Sequence, residues 1–469
     1  MKKILLSALL LTFGLTMNAQ WVSPGDGTSY TMSELVNVTD GVVTFESNNY
    51  YIHSDLTIST NDILKIDNGF QKIFIEDALL TIKGSMICEN ANRVSIMGEP
   101  HFSMRFENAM GCEVKKMYFS DGNGIKVIES EVAFIDTKFL YFTRDYANAV
   151  IDFMNCNPII ENCIFMMNES AAISSPANGQ GSPQILNCMF DANADSNSFN
   201  SPQINLGPGG DDTIRIVGNN IDDRWASWHV GGISVADLMG TGSTKVLLKD
   251  NVISNGLYGY NQQGLTISSV IERNQFIDNN LETNPMNGGS GISIYGINEN
   301  NRAILRNNVI TGNLWGITAI NAFDIDLGTE DDWGYNQIHD NGNNGVTYDL
   351  YNNSACDIMA IGNYWGTIDK QEIEDHITHQ NDDPSLGLVT YIPFLSDDGV
   401  SETHTTSFEV WPNPAQGRFI VEGKGEMTLM NALGQILLLR EIDGKENIAL
   451  PQGLYFVKIG NTTRKVIVE

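Results

Sequence analysis

Charge is scarce in this sequence, and positive charge is the scarcest kind. Charged residues make up 18% of the 469, with 27 Lys and Arg against 57 Asp and Glu, for a net charge of −30. That balance argues against a nucleic-acid partner and repels anionic lipid headgroups. It also makes a naked polyanion an awkward ligand unless bound cations bridge the two; neutral glycans, cations and basic surfaces fit better. Past the first twenty residues no apolar run is long enough to span a bilayer, so the mature protein is expected to have no integral membrane segment. The six cysteines (88, 112, 156, 163, 188 and 356) contain no CxxC or Cys/His spacing suited to zinc or redox chemistry. No cofactor is implied. Acidic clusters such as Asp222-Asp223, Glu330-Asp331-Asp332 and Asp382-Asp383 match no calcium-binding motif, so structural calcium is allowed for but not indicated. With few charges, 44 glycines and only short apolar runs, the chain does not read as helical.

Residues 1–19 read as a secretory signal. Lys2-Lys3 give the basic start, Ile4 to Leu15 the apolar stretch, and Ala19 the small residue before a cut at Gln20. The cysteines would then meet an oxidising compartment. The spacings Cys88 to Cys112 and Cys163 to Cys188 each approximate one repeat, which favours stacked thiols over bridges.

The repeat is clearest in AILRNNVITGNLWGITAI (303–320): two short alternating strands joined by Asn- and Gly-rich bends. It recurs upstream as VIERNQFIDNN and KVLLKDNVISN and downstream as WGYNQIHDNG. Alignment puts one bend at Cys163, Cys188, Asn220, Asn251, Asn274, Asn308, Asn336 and Asn363. A second register follows at Gly232-Ile233, Gly264-Leu265, Gly291-Ile292, Gly316-Ile317 and Gly345-Val346. Two registers keeping step predict a solenoid over 42–368, each coil stacked on the last as parallel strands around a continuous core. The six Asn form a structural ladder, with asparagine suited to left-handed bends and to hydrogen bonds between coils. Caps are expected at 20–41, around Met32–Val36, and at 369–395, where KQEIEDHIT has helical spacing and Val389–Phe394 adds a closing strand.

After Leu395 the style changes. Residues 396–407 read as a linker, and 408–469 as a small β-sandwich with strands at Phe408–Val410, Phe419–Val421, Met427–Leu429, Ile436–Leu439 and Leu454–Ile459. The motifs WPNPAQGRF (411–419), NALGQ (431–435), LPQGLYFVKI (450–459) and RKVIVE (464–469) make this tail resemble the type A C-terminal sorting domain of the Bacteroidota type IX secretion system. The resemblance implies the type IX machinery as a partner, removal of the tail, and either release or anchoring at the outer surface of the outer membrane. An ordinary adhesive β module is the alternative.

The repeat region resembles the pectin-lyase-like superfamily, closest to its branch with NosD-type repeats, through the Asn bends, the Gly-Ile strands and IGNYWGT (361–367). This implies a right-handed parallel β-helix, an all-β fold, with Trp365 as a lid on the final coil or, alternatively, a glycan platform. The superfamily includes polysaccharide lyases and glycoside hydrolases. The candidate catalytic set is Asp211, Asp212 and His229, which loosely resembles polygalacturonases. However, the Asn-Thr-Asp before the pair, the Arg-Ile-Lys after the histidine and the Arg-x-Pro-x-x-Arg of lyases are all missing. Adjacent strand residues also face opposite ways, so Asp211 and Asp212 could cooperate only from a bend. Trp225, Trp228, Trp315 and Trp333 are candidate sugar-stacking residues, each also suited to packing a loop. The leading expectation is an exported, non-catalytic β-helix that binds extracellular glycans or adheres through them. A polysaccharide-degrading enzyme and a purely structural surface protein are the alternatives.

Overall fold

The computed structural model describes residues 20–67, 72–88, 94–194, 201–224, 229–240, 243–284, 287–297, 300–396, 408–431, 436–459 and 462–469. The signal segment 1–19 and residues 397–407 of the expected linker lie outside them. The chain divides into two compact units, Met1–Asp398 and Gly399–Glu469.

The first unit is a right-handed parallel β-helix whose coils have three faces. One coil runs through Thr244–Lys249 on face I, Val252–Ser254 on face II and Tyr260–Gly264 on face III, and the next begins at Ile267–Glu272. Each strand pairs in parallel with its counterpart one coil on, as Val246 with Ser269, Ile253 with Phe276 and Asn261 with Ser293 show. Face I is an unbroken ladder of 14 strands from Ser29–Thr31 to Val389–Thr390. Faces II and III merge in the opening coils, where Ser95–Glu107 and Tyr118–Ile128 run across both.

Short strands suffice because each contributes one or two inward side chains to a column. On face II, Phe119, Phe139, Phe165 and Phe190 stack in register, with centroids 4.7–5.4 Å apart. Ile221, Ile253, Phe276, Ile310 and Ile338 continue the column. Each aromatic pair adds roughly 0.5–1.5 kcal/mol beyond its buried area.

The corner between faces I and II is held by the asparagine ladder. Asn251 donates from N and Nδ2 to Asn274 Oδ1 at 3.0 and 2.8 Å, and Nδ2 also reaches Ile216 O at 2.9 Å. Asn274, Asn308 and Asn336 repeat the pattern up to Asn363. The left-handed residue is not the ladder asparagine but its predecessor: Gly218, Asp250, Arg273, Asn307, Tyr335 and Gly362 have φ from 51° to 72°. Each of these turns the chain so that the next carboxamide points inward. The first asparagine rung is Asn219, not Asn220. Asn219 donates to Asn251 Oδ1, while Asn220 opens the strand Asn220–Asp222 with its side chain exposed. Below it Cys188 and Cys163 occupy the same position, Cys163 N meeting Cys188 Sγ at 3.4 Å. The described cysteines are free thiols. Burial pushes Cys88 up to about 12 and Cys112 up to about 11, which keeps both thiols protonated and unreactive.

A second ladder, unforeseen in the sequence, holds the corner between faces II and III. Asn279, Asn313 and Asn341 each bond the next, and Asn341 ends on Asp349 Oδ1 at 2.9 Å. His376 Nδ1 lies 3.0 Å from Asp349 Oδ2 and closes the column. Below Gly256 the rung is broken. Asp223 accepts from Gln203 through Oδ1, but Oδ2 has no hydrogen-bond partner, because Gly256 offers no side chain there. Burial pushes Asp223 up to about 8, so the folded protein holds this carboxyl protonated near neutrality.

Both ends of the stack are covered. The helix Met32–Val38, opened by a capping box between Thr31 and Glu34, buries Leu35 in the core. At the far end the helix Lys370–Asp375 buries Ile373, and Trp365 is fully buried, edge-on to Tyr391 at 6.4 Å. Trp365 therefore acts as a lid and offers no face to a sugar.

The second unit is one antiparallel sheet: Glu409–Trp411, Arg418–Asn431, Ile436–Ala449, Gly453–Ile459 and Thr462–Val468. Phe419–Val421 and Met427–Leu429 belong to one 14-residue strand, not two. Gly423 and Gly444 pair opposite each other and let the ladder continue where a break was expected. Phe419 and Val421 from one half share a core with Met427, Leu429 and Val457 from the other, closing a small sandwich.

Two consequences are measurable. Replacing Asn274 by Ala strips two donors of their acceptor and leaves Leu248 O unpaired in the core. We expect a loss of roughly 2–4 kcal/mol in urea unfolding; a loss under ~1 kcal/mol would mean the ladder is ornamental. For Asp223, the unfolded carboxyl titrates near ~3.9 and the folded one near 8. Between those values the folded state binds more protons, so stability falls as pH rises. Thermal unfolding from pH 4 to 8 should show this decline, and Asp223→Asn should flatten it and raise stability at pH 8.

Candidate functional site

The outward side of face III carries a continuous neutral column. Register places Ser174, Asn205, Ser234, Asn261, Ser293, Thr318 and Tyr351 one above another on successive coils. Adjacent coils are ~4.8 Å apart; Asn205, Asn261, Ser293 and Tyr351 reach the surface, while Ser174, Ser234 and Thr318 are buried, the last with its hydroxyl 2.8 Å from Ser290 Oγ. Asn261 Nδ2 donates to Ser234 Oγ at 3.2 Å, which fixes its orientation. A parallel column runs through Ala236, Gln263, Tyr295, Ile320 and Asn353. Neither holds a charge over this stretch, although the chain is strongly acidic. Charge enters only at Asp152, one coil before Ser174, whose hydroxyl donates to it at 2.9 Å.

Insertions wall this face at the leading ends of its strands. The hairpin Gly342–Asn343 with Val346–Thr347 reaches back two coils, Asn343 Nδ2 donating to Thr283 O at 2.9 Å. At the trailing ends lies a pocket of about 310 Å³ lined by Tyr295, Ile297, Asn321, Phe323, Ser354 and Cys356. Ile297 and Phe323 are exposed on its rim.

The structure separates the expected catalytic set. His229 sits at the leading end of face III, its carbonyl accepting from Ser201 N, immediately before strand Val230–Asp237. Asp211 and Asp212 lie beyond the trailing end of Ser201–Leu206, both exposed. That strand alone spans ~17 Å at its usual rise per residue, so the histidine and the acids do not face one another. Asp212 has its own local ties, with Ser182 Oγ donating to its carbonyl at 2.8 Å and Asn157 Nδ2 at 3.5 Å from Oδ2.

Of the four candidate tryptophans, the two described ones do not stand together. Trp225 and Trp228 lie outside the described residues. Trp315 is only 4% exposed, wedged against Gly289 and near Tyr348, and packs the incoming loop instead of presenting a face. Trp333 stands at a different corner, between faces I and II, against Gly362 and Tyr335. The face III residues were missed because Ser, Asn and Thr in a strand carry no motif; only coil register lines them up. Among the described residues no group of three or more His, Cys, Asp or Glu could hold a metal ion, and no helix is long and apolar enough to cross a membrane.

Residues 409–469 match the family "Secretion system C-terminal sorting domain", and residues 238–371 match "Protein of unknown function (DUF1565)", a pectin-lyase-like β-helix family. No curated protein matches the chain. Among solved structures it is similar to a mutant of the periplasmic alginate epimerase AlgG, at 11% identity and a TM-score of 0.49, covering 78% of this chain and 84% of that one. It is also similar to a mutant tailspike protein of E. coli bacteriophage HK620, at 11% identity and a TM-score of 0.41, covering 93% and 87%. Its coil topology and the two matched segments together make this chain a pectin-lyase-like right-handed parallel β-helix protein that carries a type IX secretion sorting domain at its C-terminal end.

Proposed function

We propose that the β-helix is a carbohydrate-binding protein that holds a neutral glycan along face III without cleaving its glycosidic bonds. The observation that carries this reading is the uncharged column from Ser174 to Tyr351 on a molecule of net charge −30. Hydroxyls and carboxamides at regular steps can exchange hydrogen bonds with sugar hydroxyls. Tyr295 and Tyr351 add apolar area with a polar tip. Glycosidic hydrolysis would need two carboxyls ~5–9.5 Å apart across a sugar; in our reading the exposed Asp211 and Asp212, set apart from His229, are solvated loop acids.

The sorting domain directs the protein to the extracellular space or the cell surface. In our reading an N-terminal signal cut between Ala19 and Gln20 starts this export, and the tail is removed at the outer membrane. The mature helix then works at the surface or free of it.

A panel of neutral and acidic polysaccharides, read for retention and for products in parallel, tests the assignment. We expect retention of neutral chains with no new reducing ends or unsaturated sugars. Asn261→Ala and Tyr351→Ala should each weaken retention about five- to ten-fold, on the order of 1 kcal/mol. Substituting Asp211, Asp212 or His229 should change nothing. Product release lost in those last variants would establish the polysaccharide-degrading alternative. Retention of nothing on the panel would leave a structural protein.

A further inference from the structure

The opening coils carry a group of side chains that neither the ladders nor face III use. The hairpin Val43–Glu46 with Asn49–Ile52 places Thr44 opposite Tyr51. Its second strand lies in parallel beside Lys72–Ile75, with Tyr51 next to Phe74. Side chains two apart along a strand share a face, so Thr44, Tyr51, His53, Phe74 and Glu76 emerge together on the outward side of face II.

His53 is the centre of the group. Its Nε2 lies 2.8 Å from Thr44 Oγ1, and its Nδ1 lies 2.6 Å from Glu76 Oε2. The carboxylate only accepts, so the proton belongs on Nδ1 and the lone pair of Nε2 faces the hydroxyl. The Tyr51 ring lies within 5° of the imidazole plane, at 6.1 Å, and stacks on Phe74 at 5.2 Å. His53 and Glu76 are 36% and 38% exposed, so a ligand can reach the group.

A hydroxyl, an imidazole and a carboxylate bonded in this order are the working parts of acyl transfer. The backbone adds a fourth. Among the described residues, strand Val43–Glu46 is paired on one side only. His53 N donates inward to Val42 O at 2.9 Å, and Val43 N points the other way, to Thr39 Oγ1 at 2.9 Å. Alternation along the strand then puts the Phe45 N–H on the open edge next to Thr44. A backbone N–H directly after a nucleophile is suited to receive an oxyanion.

We propose that Thr44, His53 and Glu76 form an ester-hydrolysing site, separate from face III, for carboxylic esters of ring-shaped alcohols such as acylated sugars. Thr44 Oγ1 attacks the ester carbon while His53 Nε2 takes its proton, and the Phe45 N–H receives the oxyanion. The bond to the alcohol oxygen breaks, and His53 returns the proton to that oxygen. Water, deprotonated by His53, then attacks the acyl-threonine, releases the carboxylic acid and restores the hydroxyl. Glu76 is a positioning residue that holds the imidazole. Tyr51 and Phe74 give the ring of the alcohol a surface to lie against.

The full chain can be assayed with p-nitrophenyl acetate and a fluorophosphonate probe. The probe should add to Thr44, located by peptide mass spectrometry, and to nothing in Thr44→Val. Hydrolysis should fall about 100-fold in Thr44→Val and His53→Ala, and be largely kept in Thr44→Ser. Glu76→Gln should lower kcat per probe-titrated site and leave KM unchanged, whereas loss of folding would lower the number of titrated sites instead. Polysaccharide retention, read on the same protein, reports face III alone, so the two sites succeed or fail separately. An unlabelled Thr44, or a Thr44→Val variant that hydrolyses as fast as the wild type, overturns the proposal.

Discussion

One interaction repeats from Asn219 to Asn363: a buried carboxamide that accepts from the coil before it and donates to the coil after it. A solenoid coil cannot bury its apolar residues alone, so each depends on its neighbours. At every corner the chain must also turn sharply, which strips backbone N–H and C=O groups of strand partners. The column from Asn219 to Asn363 satisfies those groups from inside the turn. Cys188 and Cys163 hold the same place with weaker donors where a phenylalanine stack supports the coils.

That constraint fixes what the faces can do. With two corners pinned by ladders, outward residues of face III stack on their counterparts one coil away, and chemically plain residues become the proposed binding surface by repetition. No single Ser or Asn there is distinctive. The insertions that lengthen some repeats sit at the strand ends, where they wall the face without disturbing its register. The break at Gly256 shows the cost of leaving the pattern: the acid beneath it, Asp223, is held protonated chiefly by burial, with the nearby Asp222 and Asp191 adding to the push.

Much of this was legible in the sequence. The spacing of Asn251, Asn274, Asn308, Asn336 and Asn363 carried the ladder, because a buried carboxamide at a fixed bend tolerates almost no other residue. The first rung slipped from Asn219 to Asn220, since the pair is adjacent and only the turn decides which one points inward. The second ladder had left a usable signal. Asn279, Asn313 and Asn341 each follow a first-ladder asparagine by five residues, the length of one face II strand with its turn. The functional site was less legible for a different reason. Motif reasoning joins residues close in sequence, such as Asp211, Asp212 and His229, whereas the helix joins residues one lap apart. Trp315 and Trp333 looked like partners and stand at different corners; Thr44, His53 and Glu76 look unrelated and meet across three adjacent strands.

The most direct test of coil-on-coil register is a distance along face III. Nitroxide labels at Asn205 and Tyr351, with the half-buried Cys156 and Cys356 replaced by Ser, stand five coil steps apart in one column. Pulsed electron–electron resonance should give a single narrow distribution centred near ~24 Å, five steps of ~4.8 Å, within the reach of the label linkers. A broad distribution, or a separation far outside that span, would contradict the stacked helix and the face built on it.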